Sequence, residues 1–262
     1  MTESAPDPEL PGLEGARHLL DMPQAALAFL RSGQLEVAGR LVDASNATLF
    51  CTISGAAPGI DGSETAACVY KPVRGERPLY DFPSGTLSHR EVAAHAVSAA
   101  VGWDIVPPTV LRDGPFGPGM VQLWIDVDER VDVVELIQSA DPRLRRFALF
   151  DAVVNNADRK GGHLLPAPDG RIYGVDHGIC FAEEPKLRTL LWAWRGVPFD
   201  SDELTMLGRV RSGLDGTLGG ELGDLLAPAE VDATARRAEH LIHFGVFPEP
   251  DPERPAIPWP PF

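Results

Sequence analysis

Asp158-Arg159-Lys160-Gly161-Gly162-His163 and, a few residues on, Ile172-Tyr173-Gly174-Val175-Asp176-His177-Gly178 belong to the stretch that decides the fold of this chain. The run from Asp158 to Phe181 reads as loop, strand, loop, strand, loop, because glycine and charge punctuate short apolar pieces. It is a polar hairpin lying inside an otherwise helical region. Upstream, residues 35–125 alternate in strand fashion. Leu35 to Val42, Thr48 to Ile53 and Ala66 to Lys71 are β-type runs separated by Ala44–Ala47 and by Gly55–Gly62. Val106, Val110 and Val121 to Ile125 extend that pattern, and the stripe Val92, Ala96, Ala99, Ala100 predicts a helix closed by Gly102. Downstream, residues 130–247 are mainly helical. Asp141-Pro142 opens one helix, and another runs from Pro228 to Gly245.

The expected fold class is therefore α+β in two lobes. A flexible acidic lead-in (1–15) precedes a β-rich N-lobe (16–125), a helical C-lobe (126–247) and a proline-rich tail (248–262) that packs back through Trp259 and Phe262. Gly213, Gly216, Gly219 and Gly220 read as loop, and Trp192 and Trp194 as core or groove aromatics. His240 and His243 read as exposed helix residues.

Composition narrows the function. Over 262 residues, 23 Lys and Arg against 38 Asp and Glu give a net charge of −15, which argues against a nucleic-acid surface. Arg143, Arg145 and Arg146 are the one dense basic patch, read as a solvated helix face. No stretch reaches the roughly 20 apolar residues of a membrane span, so stable membrane insertion is not expected. Three scattered cysteines and an acidic start fit a cytoplasmic protein.

Several residues carry chemistry in a workable order. Phosphoryl transfer from a nucleotide needs a cation on the phosphates, acidic or amide groups on a metal, and a carboxylate that orients the attacking hydroxyl. Lys71 ends a strand, and Glu91 lies twenty residues on in a helix. Asp158, His163 and Asp176 follow in the hairpin. Each has a plainer reading: Lys71 as a surface lysine, Glu91 as part of the capping box Ser88-His89-Arg90-Glu91, Asp158-Arg159 as a local ion pair, Asp176-His177-Gly178 as a turn.

The blocks Val69-Tyr70-Lys71-Pro72, Arg90-Glu91-Val92, Val106-Pro107-Pro108, Val121-Gln122-Leu123-Trp124, Asn155-Asn156-Ala157-Asp158-Arg159, Gly174-Val175-Asp176-His177-Gly178 and Trp192-Ala193-Trp194-Arg195 occur in this order. Over roughly 35–200 the chain resembles the phosphatidylinositol 3-/4-kinase-like superfamily, nearest to type II phosphatidylinositol 4-kinases and small actinobacterial relatives. The resemblance implies a two-lobed kinase-like fold and an ATP- and Mg2+- or Mn2+-dependent kinase. Lys71 would bind the nucleotide phosphates with Glu91 as its partner, and Ser45 and Asn46 would lie in the phosphate-covering loop. Gln122, Leu123, Trp124 and Ile125 would form the adenine linker. Asp158 would be the catalytic aspartate with Arg159 beside it, and Asp176 and His163 would hold metal.

Two departures stand out. His163 takes the place of the Asn that ligates metal in related kinases, and the phosphate loop Ala44-Ser45-Asn46-Ala47 lacks glycine. Magnesium prefers oxygen ligands, so His163 would contact phosphate, bind through water or shift the metal preference toward manganese. A nucleotide-binding pseudokinase, nucleotidyl transfer and a phosphoinositide lipid kinase are the alternatives; the expected acceptor is a protein or small molecule.

Overall fold

The computed structural model describes residues 13–41 and 46–262. Ser45 and the first twelve residues of the expected lead-in lie outside them. Helices α1 (Leu13–Leu20) and α2 (Pro23–Ser32) precede the strands β1 (Gln34–Arg40), β2 (Leu49–Gly55) and β3 (Glu64–Pro72). Helix α3 (Leu87–Ala100) then leads to β4 (Thr109–Gly114) and β5 (Gly117–Leu123). These strands form an antiparallel sheet in the order β1-β2-β3-β5-β4. Its core face carries Ile53, Cys68, Tyr70 and Val121, which α2 covers with Phe29 and Leu30. Period-two alternation sends those side chains to one side. Val106, expected in a strand, precedes β4.

The start of α3 departs from the sequence reading. The helix begins at Leu87, and the expected capping box does not form. Glu76, from the proline-marked loop before the helix, accepts from the Leu87 N–H (3.1 Å), the Ser88 N–H (2.8 Å) and the Ser88 hydroxyl (2.8 Å). A carboxylate at the positive end of a helix satisfies orphan donors and complements the dipole. Glu91 is thereby left free for other work. Glu76→Ala is expected to cost ~1 kcal/mol, the usual worth of a side-chain cap. Thermal denaturation would register it as a loss of roughly 2–4 °C.

The second lobe contains α4 (Val133–Gln138), α5 (Pro142–Val154), a hairpin of β6 (Leu164–Pro166) and β7 (Ile172–Gly174), then α6 (Ser201–Leu214), α7 (Thr217–Gly223) and α8 (Pro228–Phe244). Asp141 caps α5 as expected, and Asn155 in the left-handed region (φ 53) ends it. The glycine-rich stretch expected as loop is α7 and the end of α6. Gly219 lies so close to the Leu214 carbonyl that a Cβ would overlap it, so close helix packing outweighs glycine's poor propensity. Leu207, Leu218, Leu222 and Leu241 join Phe147, Phe150 and α3's Ala93, Ala94 and Val97 in one core.

Arg143 and Arg146 lie on an exposed helix face, as expected, while Arg145 is drawn partly inward. Arg145 grips Glu203 (2.6 Å) and lies over the Phe247 ring, Arg146 donates to the Trp103 carbonyl, and Arg143 pairs with Asp141. His240 and His243 are exposed. Among the described residues no helix is long and apolar enough to cross a membrane.

Candidate active site

Between the sheet and the β6–β7 hairpin lies a cleft of about 420 Å³. Leu41, Val69, Ile125, Leu165 and Val175 give it apolar walls, while Asn46, Lys71, His163 and Asp176 give it polar ones. That mixture suits a ligand with a flat apolar part and a charged part.

Lys71 is the electrostatic centre. Its ammonium lies 2.6 Å from Glu91 and 2.9 Å from Asp176. Burial works against the charged ammonium, but the two carboxylates outweigh it and raise its pKa. Glu91 is 2% exposed, and its second oxygen accepts from the His177 N–H at 2.8 Å. One helical carboxylate thus ties the strand cation to the backbone after Asp176. Burial pushes the Glu91 carboxyl up, and Lys71 pulls it back down. Lys71 holds the Asp176 carboxyl well below the usual range, so Asp176 is ionised. Asp176 has φ 60, a backbone state that Asp tolerates better than most side chains.

His163 ends a single 3-10 turn, Gly161–His163. Burial lowers its pKa to about 4, so it is neutral at pH 7. Its Nδ1 accepts from the Lys160 N–H (3.4 Å), which assigns the proton to Nε2, 3.4 Å from Asp176 Oδ2. In this arrangement His163 presents a donor to Asp176. Asp158 pairs with Lys160 at 3.3 Å and shares a small recess with Lys71, Glu91 and Asp176. Burial raises its pKa, against the pull of Lys160.

Arg159, expected beside Asp158 at the chemistry, is fully buried and turned away from it. It grips Asp151 at 2.8 Å and meets His177 Nε2 at 2.7 Å. Asp151 also accepts from Asn156 (2.9 Å) and Thr189 (3.1 Å). Sequence reasoning missed this hub, although an acid on the apolar stripe of α5 signals a buried partner.

The four linker residues behave differently from one another. Gln122 is buried, with its amide on Thr109 at 2.8 Å. The Leu123 and Trp124 N–H groups already donate to Pro108 and Ala67. An adenine would have to use carbonyls here or the N–H of Ile125. Phe50 stacks edge-on against Trp124 and steadies the linker (ring centroids 5.0 Å). Asn46 lines the cleft, and its side chain accepts from the Arg77 N–H at 2.7 Å.

No family model matches the chain. Among solved structures it is similar to the Golgi casein kinase with Mn/ADP bound, with a TM-score of 0.58 and 15% identity, covering 86% of this chain and 75% of that one. It is also similar to hydra Fam20 with sugar, with a TM-score of 0.50 and 14% identity, covering 83% and 86%. These likenesses establish the expected two-lobed kinase-like α+β fold. Over 148 residues the chain is 26% identical to Phosphatidylinositol 4-kinase gamma 4 of Oryza sativa subsp. japonica, spanning 48% of this chain and 26% of that protein. Protein Rv2133c of Mycobacterium tuberculosis (strain ATCC 25618 / H37Rv) is 43% identical over 270 residues, 90% of this chain and 95% of its own length. With similarity over nearly the whole of both chains, this protein belongs to the family of Protein Rv2133c.

Proposed function

We propose that the chain is an ATP- and divalent-metal-dependent phosphotransferase, of the phosphatidylinositol 3-/4-kinase-like type, acting on a hydroxyl of a protein or small molecule. The observation that carries this reading is the convergence of Lys71, Glu91, Asp158 and Asp176 on one recess at the end of the cleft. The partial similarity to a phosphatidylinositol 4-kinase supports the type. The guanidinium groups of Arg143, Arg145 and Arg146 already have partners within the protein, which favours a protein or small-molecule acceptor over an anionic lipid surface.

Lys71, fixed by Glu91, orients phosphate oxygens; the apolar walls hold the base; Asp158 takes the proton of the attacking hydroxyl. The site's donors fit a nucleotide-borne cation: Asp176 is ionised and open to the cleft, and magnesium is commonly held by one or two carboxylates plus substrate phosphates. Asp176 would hold the metal and His163 would orient Asp176. Such an ion neutralises charge on the phosphates during transfer.

Nucleotide titration followed by thermal denaturation tests the reading. ATP at a hundredfold excess over its Kd, with Mg2+ or Mn2+, is expected to add about 2.7 kcal/mol of stability. Product analysis should then find phosphoryl rather than AMP transfer. Stabilisation without turnover would instead support a nucleotide-binding pseudokinase, the reading that the donor role of His163 favours. Absence of stabilisation would sink both.

A further inference from the structure

The end of the described chain runs along the loop that follows Asp176 and reaches the loop that carries Asp158. The Ala256 carbonyl accepts from the Thr189 N–H (3.1 Å) and the Trp192 indole N–H (2.9 Å). The Pro261 carbonyl accepts from the Gly161 N–H at 2.9 Å. The Phe262 ring lies so close over Gly161 that a Cβ there would overlap it. Gly161 is three residues beyond Asp158, and Thr189 forms a bridge with Arg159, the neighbour of Asp158.

Main-chain carbonyls provide these hydrogen bonds, and Pro258 is buried between two exposed side chains, Ile257 (50% exposed) and Trp259 (87%). Holding by backbone is how proteins bind extended peptides of varied sequence. Seven prolines keep residues 248–262 extended, and those fifteen residues contain no Ser, Thr or Tyr. A segment hydrogen-bonded to the loops that flank the proposed catalytic carboxylate in the chain thus lacks any group that could be phosphorylated.

We propose that the strip formed by Gly161, Thr189 and Trp192 is the acceptor track, that the acceptor is an extended polypeptide bearing a hydroxyl, and that residues 255–262 occupy the track as a hydroxyl-free stand-in. This rests on the phosphotransferase reading above. A hydroxyl on the track would form a bond from its oxygen to the γ-phosphorus of ATP, as the bond to the bridging oxygen breaks. Its proton passes to the Asp158 carboxylate, and ADP leaves.

The test gives the stand-in a hydroxyl. Full-length Trp259→Ser and Ile257→Thr chains are incubated with ATP and Mg2+ or Mn2+ and followed by intact mass and fragmentation. The expected result is one phosphoryl group on the introduced hydroxyl, gained at a rate independent of protein concentration and lost when Asp158→Asn is added. Failure of both variants to gain it, while the protein turns ATP over, would overturn the track and leave the phosphotransferase reading intact. A rate that rises with protein concentration would overturn it equally. Wild-type protein that neither binds nor turns over ATP would sink the phosphotransferase reading itself.

A second measurement needs no activity. A fluorescent peptide of residues 250–262 should bind the Pro261→Gly/Phe262→Asp double variant at least ~10-fold more tightly than wild type, because a tethered occupant competes at roughly millimolar effective concentration. Equal binding to the two proteins, or none to either, would refute occupancy of the track.

Discussion

Asp158→Asn is expected to lower phosphoryl transfer by about a hundredfold or more, the usual worth of a positioned general base. That corresponds to roughly 2.7 kcal/mol of transition-state stabilisation. The substitution keeps the shape of the side chain and removes its ability to take a proton. Nucleotide binding should persist, because Lys71, Glu91 and the cleft walls are untouched. Two properties suit Asp158 to the task. Burial raises its carboxyl above the ordinary value and makes it a better base, and the Asn156 side chain holds its backbone N–H at 2.9 Å. Single-turnover transfer assays paired with nucleotide-dependent thermal shifts would separate the two effects. Unchanged transfer would remove Asp158 from the mechanism.

Asp151→Ala is expected to be the most damaging single change to stability. It leaves the guanidinium of Arg159 buried at 0% exposure without its carboxylate, and takes a partner from Asn156 and Thr189 as well. Breaking a buried ion pair from one side costs about 3–5 kcal/mol. Against a typical total of roughly 5–15 kcal/mol, that is a large share. Thermal denaturation should show a fall of roughly 6–20 °C. Replacing both partners, as in Asp151→Leu/Arg159→Met, should recover much of the loss, because no unpaired charge then stays inside. A double variant as unstable as Asp151→Ala would show that the other partners, not the charge pair, dominate.

The polar hairpin, the strand ending at Lys71 and the helix bearing Glu91 are legible in the sequence because their signals are local. Alternation, turn residues and an apolar stripe need no knowledge of distant contacts. Other features depend on what meets in space. Glu76 caps α3 from eleven residues before Leu87, a distance at which a box written within the helix itself is the simpler reading. Arg159 is adjacent to Asp158 in sequence, yet successive side chains in a loop point different ways, and its partner Asp151 lies one helix turn inside α5. Gly213 to Gly220 read as loop because glycine has low helix propensity; contact between α6 and α7 overrides that preference. The donor role of His163 depends on the Lys160 amide beside Nδ1, which spacing alone does not reveal.

The bracketing of one ammonium by Glu91 and Asp176 also governs which form of ligand the cleft can admit. With Asp158 nearby, the recess has an excess of negative potential on an already acidic molecule. A naked polyanion entering it meets repulsion at the mouth and a cation that is already taken. On the phosphotransferase reading proposed above, a nucleotide arriving with its own divalent counter-ion would be electrically matched instead, and the resting charge pattern would favour the metal-chelated form over the free one.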